Sequence, residues 1–444
     1  MITTRIKISE AFAGRLDPQQ FHPERMDMLH HIQARTKYCK LKDVVKNVKT
    51  TTTVFNNDDI YIGLENITSH TGDYLPTNDK TSISSAAVFV RGNILFPKLR
   101  PYLNKVYRAE FDGKCSTEFH VFEAVDIDPN YLIIVLRSDI VLAQTKHLMT
   151  GNTLPRLQTS DVENLIIPYP DVAIQQKIVA IYKKAQDAKQ TKDAEAKALL
   201  ASIDSEILEQ LGISIPKATE RRLSFNVGVS DIIGKRMDVS FYKDRFELIS
   251  TLYPNKKLSD VVIVNPSVSY KPLSTSDEIS FLPMEVIDEK MGEIAEYRTT
   301  TVAETKGFTK FEDDDLLWAK ITPCMQNGKS AIARNLLNGV GCGSTEFYVL
   351  RPKDATISID YIYCLLRHHK VLEAAKSSFG GSAGQQRVSS NYLKSISIPV
   401  PPIEVQREIA ASIHSKKAKA KQLQQEGAEL LKEAKEHIER IILG

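Results

Sequence analysis

GCGSTEFYVLRP (Gly341–Pro352) repeats a phrase met earlier in the chain, GKCSTEFHVFEA (Gly113–Ala124). Working outward from both copies, further pairs follow in the same order. LKDVV (Leu41–Val45) answers LSDVV (Leu258–Val262), and YIGLENI (Tyr61–Ile67) answers FLPMEVI (Phe281–Ile287). GNILFPKLRPYLNK (Gly92–Lys105) answers DDLLWAKITPCMQNGK (Asp314–Lys329), sharing a Lys-x-x-Pro at Lys98/Pro101 and Lys320/Pro323. Arg15 and Asp17 match Arg236 and Asp238. Beyond the phrase, PRLQTSDVENLIIPYPDVAIQQKI (Pro155–Ile178) answers QRVSSNYLKSISIPVPPIEVQREI (Gln386–Ile409). Ordered matches over nearly the whole chain define two tandem copies of one unit of roughly 220 residues. Between the matches the copies diverge.

Each copy closes in the same way. A short apolar run reaches prolines, which end a strand and suit the start of a helix. A long amphipathic pattern follows. Ile178, Ile181, Leu199, Ile203 and Ile207 mark its apolar stripe in copy one; Ile409, Ile413, Leu423, Leu430 and Ile438 mark it in copy two. No proline interrupts either run, so each predicts a helix of about 40 residues, about 60 Å long. Such stripes exceed what one small domain covers. Mutual packing is the expectation, with each helix lying on its own domain as the alternative. Short strand-like runs and helical stretches mix without alternation before each helix. The expected fold is therefore α+β: two tandem globular domains separated by two long coiled-coil helices. The expected boundaries are 1–168 and 213–399 for the domains, and 169–212 and 400–444 for the helices.

Composition narrows the function. Apolar residues make up 42% and charged residues 25%, which excludes a disordered chain. A net charge of +3 gives no bulk attraction for nucleic acid, so any such surface is local. The five cysteines have no metal-site spacing and read as reduced thiols of a cytoplasmic protein. No signal segment or membrane span is expected, with YLIIVL (Tyr131–Leu136) reading as strand- or core-sized. There is no phosphate loop, GxGxxG, GxSxG or HExxH motif. His30–His31 and His368–His369 read as surface or capping residues, and Asp313–Asp315 as a solvated turn. No catalytic or metal residue is nominated.

A doubled unit without a catalytic set suggests doubled recognition of a long ligand, and DNA is the natural one. Basic and amide residues gather at equivalent places. Lys98, Arg100, Lys105 and Arg156 are the candidates in copy one; Lys320, Asn327, Lys329, Gln385, Gln386 and Arg387 are those in copy two. Lys and Arg neutralise phosphates, while Asn, Gln and Arg read base edges.

The ordered set resembles the specificity subunit of type I restriction–modification systems. The residues that carry it are GNILFPKLRPYLNK, STEF, GNTLPRL and IIPYPDVAIQQKIV in copy one, and DDLLWAKITPCMQNGK, STEFYVL, GQQRV and SIPVPPIEVQREIA in copy two. Ile-Pro-x-Pro-Pro-x-x-x-Gln-x-x-Ile is the most specific; copy one departs from it at Asp171. The resemblance implies two target-recognition domains, each reading half of a bipartite target in double-stranded DNA. It implies that the two long helices pack antiparallel as a spacer, that this chain does no catalysis, and that two modification subunits dock on it and methylate adenine N6 from S-adenosylmethionine. Restriction subunits using ATP and Mg²⁺ would complete the complex. Other readings are a recognition subunit for a fused methylase-nuclease that cuts near its site, and a coiled-coil protein-binding scaffold.

Overall fold

The computed structural model describes residues 17–56, 58–76, 84–151, 153–214, 247–379 and 386–444. Arg15, Arg236, Asp238, Gln385 and most of the stretch joining the copies lie outside them. Two long helices stand out, α1 (Val172–Gln210) and α2 (Ile403–Leu443). The chain divides into two compact units, and the division cuts both helices. Unit 1 holds residues 1–192 and 424–444; unit 2 holds residues 193–423.

Unit 1 contains two four-stranded sheets. In the first, Phe119–Ala124 lies between Val45–Asn47 and Ile94–Pro97, with Tyr107–Arg108 outermost. In the second, Gly113–Cys115 runs parallel to Tyr61–Ile62 and antiparallel to Ala86–Phe89. Unit 2 repeats both. Phe347–Pro352 lies between Val262–Val264 and Leu316–Ala319, while Val340–Gly343 runs parallel to Glu278–Leu282 and antiparallel to Thr309–Glu312. The copies part at one sheet edge. The fourth strand, Thr51–Thr52, pairs with Ala86–Phe89 in unit 1; in unit 2, Arg298–Thr301 pairs with Glu278–Leu282.

The repeated phrase is the crossing from one sheet to the other. Cys115 ends a strand of the second sheet and Phe119 begins one of the first. Ser116 shapes the turn: its carbonyl accepts from Phe119 N–H (3.0 Å) and its hydroxyl from Glu118 N–H (3.2 Å). Ser344 does the same for Phe347 (3.3 Å) and Glu346 (3.2 Å). Gly113 and Gly341 have a physical reason too. A Cβ at Gly113 would lie 2.8 Å from the Phe89 ring, and one at Gly341 2.5 Å from the Phe311 ring.

The closing motif is another joint. The Gln175 side-chain oxygen accepts from Asp128 N–H and its amide donates to Pro170 O. Gln406 does likewise with Ser358 N–H and Pro401 O. Both glutamines are buried, so these bonds fix the start of each long helix against the domain before it.

In each unit, halves of the two helices run antiparallel. In unit 1, Lys192 pairs with Glu426 at 2.5 Å, and Lys189 packs beside Gly427. In unit 2, Ser412 bonds Glu206 at 2.5 Å and Lys416 bonds Ser202 at 3.0 Å. Ile178, Tyr182, Leu431, Ile438 and Ile442 join the unit 1 core. Ile207, Leu211, Ile409 and Ile413 join that of unit 2. Leu423 packs with Ala196 and Ala420, and Leu199 lies against them. The helices thus pack both on each other and on the domains. Ile181 and Ile203 are half-buried at the seam's edge.

Two expectations need correction. Leu430 is 38% exposed, and its neighbour Leu431 is buried. In unit 1 the seam passes through Gly427 to Leu431; a heptad count misses Gly427, whose lack of a side chain lets the Lys189 backbone approach. Of the two readings of YLIIVL, strand- or core-sized, the structure has the second: it forms most of a buried helix, Pro129–Leu136, capped by Asp128. Asp315 is not in a solvated turn: it is wholly buried, forked by Arg351 through two bonds of 2.7 Å. Pairing with a guanidinium is what makes a buried carboxylate tolerable. All five cysteines are free thiols. Among the described residues, no helix is long and apolar enough to cross a membrane.

Ile438→Asp places a carboxylate in the unit 1 core and should cost about 4 kcal/mol or more, whereas Leu430→Asp should cost less than about 0.5 kcal/mol. Hydrogen exchange of unit 1 core amides under mild denaturant reads both; equal losses would contradict the seam described.

Candidate nucleic-acid interface

Three repeated segments converge beside the phrase. In unit 1, Lys98 N–H donates to Glu118 O (2.8 Å), Leu157 N–H to Lys98 O (2.9 Å) and Arg100 N–H to Pro155 O (2.9 Å). In unit 2, Lys320 N–H donates to Glu346 O (2.9 Å), Val388 N–H to Lys320 O (2.9 Å) and Thr322 N–H to Gln386 O (3.0 Å). The Lys-x-x-Pro loop, the crossing turn and the Arg156 or Arg387 segment therefore form one small platform in each unit.

Most candidate side chains are anchored within it. Glu118 forks Arg156 (3.0 and 2.8 Å), and Glu346 forks Arg387 (2.9 and 2.7 Å). Arg156 pulls the Glu118 carboxyl below its ordinary value, against a smaller effect of burial; Arg387 does the same to Glu346. The Lys98 ammonium donates to Thr117 O (2.7 Å), and burial lowers its pKa. The Lys320 ammonium lies over the Tyr348 ring, 5.3 Å from its centroid. Lys105 donates to Leu64 O (2.8 Å) and Lys329 to Met284 O (3.2 Å), so this pair ties the loop to the short helical turn that follows Tyr61–Ile62 in one copy and Glu278–Leu282 in the other. Asn327 donates to Glu289 (3.1 Å). Arg100 is exposed, and Gln386 is half-buried. Gln385 lies outside the described residues.

Glu118 and Glu346 are the residues that sequence reasoning passed over. The signal was present: a glutamate in the repeated phrase, followed in both copies by an arginine downstream. Two further groups bring donor atoms within 4.8 Å of one another, His22/Glu24/His147 and Asp204/His368/His369. Each draws on distant parts of the chain, which spacing does not show. In the first, Glu24 bonds His147 (3.0 Å) and Lys146; in the second, Asp204 bonds His369 (2.5 Å).

Doubled two-sheet units, each packed on paired half-helices and carrying one basic platform, define a class of tandem-repeat α+β protein. The family described as the type I restriction modification DNA specificity domain matches residues 34–198 and 235–432, so the chain belongs to that family. Two relatives from Escherichia coli, the type I restriction enzyme EcoEI and EcoAI specificity subunits, are each 32% identical over 186 residues. That stretch is 42% of this chain and 31% of each relative, so the match spans under a third of their length. A solved chain from work on assembly and conformational transition of the type I R-M system shares the fold, with a TM-score of 0.53 at 18% identity. It covers 92% of this chain and 96% of that one.

A double-mutant cycle with Glu118→Gln and Arg156→Gln checks the fork. The folded-state carboxyl lies below its ordinary value of 4.5, so its stabilising coupling is present above that value and lost as pH falls beneath it. The cycle should give favourable coupling at neutral pH and none in acid. Coupling that ignores pH would remove the fork from the platform's stability.

Proposed function

We propose that this chain is a non-catalytic DNA-recognition subunit of a type I restriction–modification complex. Each repeat reads one half of a bipartite target in double-stranded DNA. The observation that carries the reading is the family match over both copies, joined to a basic platform that recurs in each. Residues 1–168 and 213–399 act as the two target-recognition domains, and residues 169–212 and 400–444 as the spacer. Two modification subunits dock on the helices and use S-adenosylmethionine. Restriction subunits supply the ATP- and Mg²⁺-dependent cutting, all in the cytoplasm.

At the platform, Lys98, Arg100 and Arg156 face DNA from one copy, and Lys320, Gln386 and Arg387 from the other; Gln385, outside the described residues, stays a candidate on its sequence alone. Lys105, Asn327 and Lys329 support the loop from behind. Glu118 bonds two nitrogens of the Arg156 guanidinium, which has five N–H groups and so keeps others for a phosphate. Holding each forked arginine in one geometry lowers the entropy lost on binding.

The test is binding of a duplex by the chain assembled with its modification subunit, across a range of salt. A reader that neutralises phosphates loses affinity as salt rises, with a log–log slope of about −0.9 per contact. Arg100→Ala should weaken binding and flatten that slope by about 0.9. Salt-independent or absent binding would sink the reading in favour of a protein-binding scaffold.

A further inference from the structure

One position inside the repeated phrase carries side chains of different size in the two copies. His120 stands where the second copy has Tyr348. In unit 2, Tyr348 lies opposite Trp318, stacked at 6.5 Å between centroids, and its hydroxyl donates to Val388 O at 2.9 Å. In unit 1 the opposing pair is the smaller Phe96 and His120. Beside His120 lies a cavity of about 300 Å³.

Its lining sets cationic and hydroxyl-bearing side chains among apolar ones such as Val48, Phe119 and Val121. It holds Lys49 and Lys98, Thr51, Thr117 and Thr159, and no carboxylate. The lysines bring positive charge from two separate segments of the chain, and the threonines bring donors. His120 is 4% exposed, and its Nε2 is buried without a hydrogen-bond partner. Buried polar atoms in native proteins are nearly always partnered, so an orphan in a residue that borders a cavity calls for an acceptor or donor from elsewhere. Burial pushes His120 down to about 4. The ring is therefore neutral at physiological pH and, in the tautomer protonated at Nε2, offers one N–H there without carrying a charge.

We propose that this cavity is a phosphate site, built into the first repeat and closed in the second by Tyr348, and that it seats a backbone phosphate of the half-site read by unit 1. The inference rests on the DNA-reading function proposed above and adds to it an asymmetry: the two platforms grip the duplex through different numbers of phosphates. Lys98 takes part with the two N–H groups left after its bond to Thr117 O, Lys49 from the exposed rim, and the threonine hydroxyls as neutral donors.

Two variants and two probes test it. His120→Tyr installs the residue that the second copy carries at the same place. Lys49→Gln alters an exposed side chain and leaves the fold intact. With the chain assembled with its modification subunit, each variant should flatten the salt slope of duplex binding by about 0.9 while base preference stays the same. By NMR of histidine-labelled full-length chain, both the duplex and inorganic phosphate should raise the pH at which His120 titrates, because a bound anion favours the imidazolium. Unchanged slopes with a silent His120 overturn the proposal. So does altered preference at a single base pair without a slope change, which would make the cavity a reader of base edges. A His120 that responds to inorganic phosphate and not to duplex overturns the DNA source and leaves a site for free phosphate. Wild-type protein that binds no duplex fails the proposed function itself, a result distinct from all of these.

Discussion

The apolar stripes of α1 and α2 set the terms for the whole molecule. A helix of 39 or 41 residues with such a stripe cannot stand in water alone, because its apolar face has to be covered along its length. In each unit that cover comes from two sources, the antiparallel half of the other helix and the core of the neighbouring domain. Unit 1 therefore takes in the last residues of the chain, 424–444, far in sequence from its sheets. Neither repeat is a finished folding unit by its own sequence span.

With that constraint met, the shared residues explain themselves as joints. Ser116 and Ser344 turn the chain between sheets, Glu118 and Glu346 hold the arginine segment, and Gln175 and Gln406 pin the start of a long helix. Tyr131 and Tyr361 add matching bonds to Pro168 O (3.0 Å) and Pro399 O (2.8 Å). Residues common to both copies cannot by themselves distinguish two different half-sites. On the proposed function, discrimination belongs where the copies part in their contacts to bases, and the sheet edge with its transposed fourth strand is one such difference. Phosphate contacts position a reader and base contacts specify its target.

Much of this was legible in the sequence. Order and spacing of the paired phrases gave the duplication, and uninterrupted apolar periodicity gave both long helices. The exact seam was not legible, because a glycine counts as neither apolar nor polar, and Gly427 rather than Leu430 carries the seam past Lys189. A run such as YLIIVL has no period to read, so only its tertiary setting makes it a buried helix. The site was legible in its location and less so in its chemistry. Basic residues at matched places marked the platform. That Lys105 and Lys329 bond main-chain carbonyls, and that Glu118 and Glu346 fork the arginines, depends on contacts between distant segments.

The central claim is that each repeat reads one half of a split target independently. The measurement that tests it most directly is a genome-wide map of N6-methyladenine in cells carrying this chain and its modification subunit. It is then repeated after residues 1–168 are exchanged for the corresponding segment of a family member with a different target. The account predicts a two-part motif in which one half changes while the other half keeps its sequence. An undivided motif, or one in which both halves change together, would contradict it.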